Sequence, residues 1–488
     1  MTTTQMTGHP AGGWDIEADV VVLGFGAAGC AAAIEAHDAG ASVIVLEKME
    51  EGLEGGNTRV SGGIWFDNRD PERAAVYLRS LCGDNPLPEP VVTVWAEETY
   101  RNTAWLEGLG AKIGSHGAYP PEYPELEGSD AFGGYLGVEG RMGDGLLYDV
   151  LTRAVRARGI EVRLATPARE LMQDTATGAV HGVLATGPDS SPLRIRARRG
   201  VVLATGGFEA DQQMVRDYLR LPDSVVWGTP AATGDGHRMA MKAGADLWHM
   251  DNMMTVTGMR APGFRSGFYT PFFLGKNFLY IGKDGTRLAD EQPQVGHGQA
   301  VLHGNYELFP VRPMHVIFDE NARLAGPVSP GRDMLPVGWN LLVEGYEWSA
   351  DNSAEIEKGW IHRADTLEDL AGILGLDPHA LLATVQRWNA ACAAGVDDQF
   401  GRDPQTLAPL DRAPYYAFSW GPMVAWSNGG PRRDERARVL DPFGAVIPGL
   451  LAAGNVSSTY SWAKDGGMHI ADALAFGRVA GRTAAAGE

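Results

Sequence analysis

The chain has 488 residues, 44% hydrophobic and 21% charged, with 41 Lys+Arg against 61 Asp+Glu for a formal charge of −20. That length exceeds one ordinary core and implies two or three domains. The acid excess argues against nucleic acid, which demands a basic face, and against docking to anionic lipid.

The N-terminal stretch before residue 14 has no basic segment followed by an apolar one, so it reads as a mobile tail and not as a signal peptide. No apolar run is long enough to span a bilayer. The three cysteines, Cys30, Cys82 and Cys392, form no CxxC. Neither a disulfide framework nor a zinc site is expected, and a reducing cytoplasm fits.

Residues 18–47 organise the rest. Val20–Leu23 is a β-branched apolar run, as a strand buried on both faces should be. Gly24, Gly26 and Gly29 follow at GxGxxG spacing, with Ala27 and Ala28 between them, and open an Ala-rich helix. A second apolar run, Ser42–Leu46, ends in Glu47 and Lys48. Strand, glycine turn, helix, strand and acid in this order form a dinucleotide-binding unit. The helix start offers N–H groups and partial positive charge to a pyrophosphate. Glu47 stands where a carboxylate accepts from ribose hydroxyls.

Next come two glycine clusters, Gly55-Gly-Asn57-Thr58 and Ser61-Gly62-Gly63, suited to backbone lying against a flat polar ligand. Residues 72–83 and 88–109 read as amphipathic helices. A Gly-, Pro- and Tyr-rich loop over 110–145 carries His116, Tyr119, Tyr123 and Tyr135. A helix over 145–157 and strand-like alternation over 160–205 follow, ending in VVLATGG. Thr233-Gly-Asp-Gly236 caps a helix to about Ala243. From 250 to 422 the texture turns irregular and aromatic, with strands at Phe278–Ile281 and His315–Phe318 and helices at 353–359, 366–373 and 377–394. Strand and glycine motifs then return, 437–440 and 447–454, before a last helix from Gly466-Gly467 to about Ala485.

The set VVVLGFGAAGCAAAIEA, GGNTRVSGG, VVLATGGFEAD, TGDGHRMAMKAGAD, APYYAF and IPGLLAAGN…GGMHIADALAFGRVAG resembles the FAD-binding fumarate reductase/succinate dehydrogenase flavoprotein superfamily over about 18–483. The resemblance implies an α/β fold. A Rossmann-like FAD-binding domain with a parallel sheet is built from 14–249 and 423–488, an α+β cap domain over 250–422 is inserted in it, and substrate is held at the seam. On matching positions Gly24, Gly26, Ala28 and Gly29, with Ala27, would hold the pyrophosphate, and Glu47 with Lys48 the adenosine ribose. Asn57, Thr58, Ser61, Gly62 and Gly63 would line the flavin. Ala168 would contact adenine, and Thr205-Gly206 would complete the dinucleotide site. Gly454 and Asn455 would meet the ribityl chain, with Asn455 replacing the acid usual in relatives. His469 and Ile470 lie on the helix start that relatives aim at the flavin. No histidine stands near Asn57, where some members attach the cofactor, so non-covalent FAD is expected.

Dicarboxylate reductases of this superfamily carry a histidine and an arginine that clamp carboxylates. Here the matching stretch is Val456–Met468, where Tyr460 or its neighbour replaces the histidine and Lys464 or Asp465 the arginine. That weakens a bidentate clamp and shifts the expectation towards a less charged ketone. The Gly454-Asn-Val-Ser457 and Gly467 pattern is similar to 3-ketosteroid dehydrogenases and related cyclic-ketone desaturases. By that likeness Tyr460 and the Gly467 N–H are candidates to polarise a keto oxygen. Tyr119, Tyr123 and His297 are candidates for proton transfer, and Lys464 is a further pocket candidate. The implied partners are a small cyclic ketone and an external electron acceptor; no metal is expected, and oligomeric state is open. The same scaffold run in reverse would reduce an α,β-unsaturated acid or ketone.

Overall fold

The computed structural model describes residues 13–117, 119–221, 224–270, 275–291, 295–296, 299–302, 305–308, 314–331 and 336–487. The N-terminal tail and His297 lie outside the described residues. The chain forms two compact units: Met1–Arg220 with Gly228–Met254 and Trp426–Glu488, and Leu221–Trp227 with Thr255–Ala425. The short piece Leu221–Trp227, read from sequence as part of the cofactor domain, belongs to the second unit.

The first unit is built on an eight-stranded sheet. Its first strand, β1 (Ile16–Leu23), pairs in parallel with Val43–Leu46 (β2) on one side and with Pro192–Leu203 on the other. The strand Val446–Ala452 joins Pro192–Leu203 in parallel, so the far end of the chain completes the sheet. A hairpin, Ala168–Gln173 and Val180–Thr186, adds antiparallel strands beside Pro192–Leu203. Val20, Val21, Val22 and Val45 are wholly buried, as strands covered on both faces require. Helix α1 (Ala27–Asp38) packs on the closing helix Met468–Ala486 through small residues. A Cβ on Gly477 would stand 2.6 Å from the Ala28 carbonyl oxygen, and one on Gly481 2.3 Å from that of Ala32. No described helix is long and apolar enough to cross a membrane.

Two readings of this unit need correction. The 110–145 stretch is not all loop: Ile113–Ser115 and Phe132–Val138 pair with each other, and the latter with Trp65–Asn68, in a small antiparallel sheet. The glycines at 133, 134 and 137 hid the alternation. The helix expected over 88–109 is two, Glu89–Tyr100 and Asn102–Gly108. The break comes where buried Asn102 turns inward, donating to the Ala471 carbonyl at 3.0 Å and accepting from Arg478 at 2.7 Å.

The second unit centres on a seven-stranded sheet. Its long strand Tyr415–Ser427 pairs antiparallel with Met314–Asp319 and His362–Ala364 and parallel with Val225–Val226. Leu367–Leu374 and Pro378–Ala394 are helices, packed through Leu370, Leu381 and Trp388. A buried quartet, Arg287, Glu291, Asp397 and Arg402, stands beside them.

Candidate functional site

The turn after β1 is shaped by its glycines. Gly24 has φ +105, and a Cβ there would fall 2.3 Å from the Ala204 carbonyl oxygen. A Cβ on Gly29 would fall 2.0 Å from the Gly24 carbonyl oxygen, so only glycine lets the helix approach the strand end. Helix α1 starts at Gly26 with no side-chain cap, although Thr58 Oγ1 accepts from Ala27 N at 2.9 Å. Glu47 is buried. Its two oxygens accept from Phe25 N at 3.2 Å and Met49 N at 2.9 Å. Burial raises its pKa against the pull of those donors.

Around this turn the motif residues leave a partly exposed line in an otherwise buried region. Gly24, Gly26, Lys48, Asn57, Thr58, Ser61, Gly62, Gly63, Thr205, Gly206 and Asn455 are half-buried, as are Gly467, His469 and Ile470. Lys48 does not stand free for a ribose: its Nζ donates at 2.7 Å to both Thr233 Oγ1 and Asp235 Oδ2. It ties β2 to the TGDG turn. Ala168 opens its strand, half-buried, and Gly454 is buried beside Ala28. Thr205 Oγ1 is buried with no hydrogen-bond partner among the described residues. Thr58, Ser61, Gly62 and Gly63 also line a cleft with His116, Arg141 and Met142.

The C-terminal end of the site divides the catalytic candidates. Gly467 has φ +72 and caps the closing helix, with no side chain capping that end. The His469 ring lies edge-on to Trp426 and Tyr460, at 4.9 and 5.0 Å between centroids. Tyr460 is a correction: it is wholly buried, donates its hydroxyl proton to the Met468 carbonyl at 2.5 Å and accepts from Trp95 Nε1 at 3.1 Å. That proton is committed to the protein, so Tyr460 is a core residue and not an oxyanion donor. Tyr123 is buried, whereas Tyr119 is 58% exposed, its ring tilted against Tyr135 at 5.5 Å.

Lys464 is only 1% exposed. Its Nζ donates at 2.6 Å to Asn252 Oδ1 and at 2.6 Å to the Met253 carbonyl. No described carboxylate lies in ion-pair contact with it, and burial pushes the amine down to about 7, with Glu122 opposing. Asn252 is the hub that holds this segment, donating to the Tyr460 and Trp462 carbonyls at 3.0 and 2.9 Å. Its Oδ1 also accepts from Asn428 at 2.9 Å. Neighbouring Asp465 accepts from Tyr77 Oη at 2.8 Å and from Glu122 N at 2.9 Å. Asn252 and Glu209, which holds Asn57, escaped the sequence reading. Glu209 stood inside the VVLATGGFEAD motif, the one signal for it; Asn252 had none.

Comparison with known proteins gives the family and the fold. The family described as FAD binding domain matches residues 19–470. Urocanate reductase of Eggerthella lenta is 30% identical over 97% of this chain and 75% of its own length. A 3-oxosteroid 1-dehydrogenase of Mycobacterium tuberculosis is 29% identical over 95% of this chain and 97% of its own. Among solved structures, 3-ketosteroid delta1-dehydrogenase from Sterolibacterium denitrificans has the same fold, with a TM-score of 0.77 at 23% identity over 97% and 100% of the two chains. A flavocytochrome c3 fumarate reductase follows at 0.69 and 26%, over 97% and 79%.

The residues present fit an FAD. The glycine cradle admits a pyrophosphate where a Cβ would close it. Glu47 is a buried acceptor at the strand end, and Thr205 Oγ1 is a buried polar atom awaiting a partner.

Proposed function

The chain belongs to the FAD binding domain family and is an FAD-dependent oxidoreductase acting on CH–CH groups; on that premise we propose that it desaturates a cyclic ketone, steroid or smaller, between the carbons α and β to the carbonyl. The observation that carries this reading is how little positive charge is available among the described residues at the C-terminal end of the site. Arg433 is spent on Asp472 at 3.1 Å and Arg478 on Glu98 at 3.0 Å. Lys464 is an amine held near neutrality. A dicarboxylate calls for permanent, bidentate cations. A ketone needs only fixed donors at one oxygen.

When bound, FAD supplies the two-electron acceptor for the hydride that leaves the β-carbon. In this reading Gly24, Gly26, Ala27, Ala28 and Gly29 hold its pyrophosphate, Glu47 its ribose, and Ala168, Thr205 and Gly206 the rest of the dinucleotide. Asn57, Thr58, Ser61, Gly62 and Gly63 line the flavin, Asn455 meets the ribityl chain, and the cofactor is held without a covalent bond. The Gly467 N–H, at the positive end of the closing helix, and Lys464 Nζ meet the carbonyl oxygen and carry its charge as the α C–H is lost. Tyr119, whose ring is open to solvent, relays that proton to water, accepting it on its oxygen as its own hydroxyl proton leaves; Tyr123 is buried. An external acceptor in the cytoplasm then reoxidises the enzyme.

One observation favours a second reading, reduction of an α,β-unsaturated acid. By offset from the paired glycines Lys464 or Asp465 stands at the arginine position of the dicarboxylate clamp, and a carboxylate beside Lys464 would restore its charge. Anaerobic mixing of the purified holoprotein with saturated cyclic ketones, 3-ketosteroids, urocanate and fumarate separates the two. Bleaching of the flavin absorbance by a saturated ketone is expected. If only pre-reduced protein responds, being reoxidised by an unsaturated acid, desaturation is wrong and reduction stands.

A further inference from the structure

Glu209 follows the ATGG turn and is wholly buried. No described lysine, arginine or histidine pairs with it; its surroundings are hydrogen-bond donors only. Asn57 Nδ2 donates to Oε1 at 2.8 Å. Ser427 N and Ser427 Oγ donate to Oε2 at 3.1 and 3.0 Å. The hydroxyl direction is settled, because Ser427 Oγ accepts from Phe208 N at 2.7 Å and must aim its own proton at the carboxylate. The amide direction is settled too, because Asn57 Oδ1 accepts from Thr229 N at 2.8 Å. Three hydrogens thus converge on Glu209. Hydrogen bonds donated to both oxygens favour the acceptor-only, ionised form. Burial raises the Glu209 pKa above the ordinary carboxylate range, and the donors pull against that rise.

We infer that Glu209 is an ionised positioning residue, fixing the Asn57 amide and setting a negative charge behind the flavin end of the cofactor site. The inference rests on the reading above that Asn57 lines the flavin. A buried carboxylate without a cation is costly to keep. Here it does two things at once. It leaves Asn57 one orientation, with the carbonyl turned to Thr229 and the amino group to Glu209. It also disfavours the extra negative charge that reduction brings to a flavin, opposing the positive end of the closing helix. The chain thereby tunes the balance between oxidised and reduced cofactor with a group that need not touch substrate.

The test uses the purified holoprotein and reads the flavin midpoint potential against a reference dye, and FAD affinity by fluorescence titration of the apoprotein. Glu209→Gln removes the charge and sets an amino group against donors. The two-electron equilibrium is expected to shift about tenfold towards reduced flavin, about 30 mV, with FAD held about tenfold more weakly. Glu209→Asp keeps the anion with a shorter reach. Its potential should stay within about twofold of the wild-type equilibrium while FAD affinity still falls about tenfold. That variant also serves if Glu209→Gln does not fold. Asn57→Leu is measured alongside. If it shifts the potential and Glu209→Gln does not, the role of Glu209 is overturned and the placement of Asn57 stands. If neither shifts it, the placement of Asn57 is wrong and the inference falls with it. An Asp variant that holds FAD as tightly as wild type also overturns the positioning role.

Discussion

Both units bury compensated ion pairs, but the first also buries ionisable groups with no opposite charge paired to them among the described residues. In the second, Arg287 donates to Glu291 at 2.7 Å and to Asp397 at 2.9 Å, and Arg402 donates to Glu291 at 3.2 Å. Two cations meet two anions, and the guanidiniums also lie over aromatic rings, Arg287 over Trp388 at 4.6 Å and Arg402 over Phe278 at 4.7 Å. In the first unit Lys464 and Glu209 are equally buried, yet each is held by neutral hydrogen-bonding groups instead of an opposite charge. A compensated cluster ties elements together. An uncompensated charge can act on whatever arrives beside it, and such groups gather where chemistry is done.

Breaking the compensated cluster should have the largest effect. Arg402→Met leaves Glu291 buried with one cation fewer, and about 3–5 kcal/mol of stability should go. Urea unfolding followed by tryptophan fluorescence checks this; a loss under about 1 kcal/mol would mean the quartet adds little. Acid should weaken the first unit next. His237 Nε2 lies 2.7 Å from the Gly429 carbonyl oxygen, and His249 Nδ1 lies 3.0 Å from the Ser458 carbonyl oxygen. As neutral rings facing carbonyls they must be donors there. Burial pushes both down to about 4. The unfolded chain, with ordinary histidines, takes up protons first as pH falls. Stability should therefore drop from about pH 6.5 to about 4 and level off below, by roughly 3 kcal/mol per histidine. Urea midpoints across that range in wild type and in His237→Gln/His249→Gln test it; equal slopes would remove the assignment.

The smallest stability loss is expected at Lys464. Lys464→Met deletes a buried amine whose charged form burial disfavours, so stability at pH 7 should not fall. Activity should fall tenfold to hundredfold, about 1.4–2.8 kcal/mol in the transition state. The sign with pH is distinctive. The folded amine titrates near 7 and the unfolded one near its ordinary 10.5, so the unfolded chain binds more protons between them. Wild-type stability should rise across that window from this group, and the methionine variant should lack the rise. A variant that keeps full activity would take Lys464 out of the site.

Much of this molecule was legible before folding because its signals are local. GxGxxG, the flanking apolar runs and Glu47 lie within one short stretch, and each constrains backbone directly. The helices Leu146–Ala157 and Pro378–Ala394 were read from their periodicity and end signals. The small sheet in 110–145 was not, because glycine supplies no alternation to read. Tyr460 looked available because sequence does not disclose that Met468 and Trp95 consume its hydroxyl.

The sequence by itself determined the dinucleotide-binding unit, which follows from backbone shape that glycines and apolar runs impose nearby in the chain, and its motifs carried the resemblance that implied FAD and the fold. Only the tertiary structure decided which charged groups are spent and which are left to act. Glu209 meets Asn57 and Ser427 across 152 and 218 positions, and Lys464 meets Asn252 across 212. Charge compensation is settled by distance in space and by burial, and neither is written along the chain.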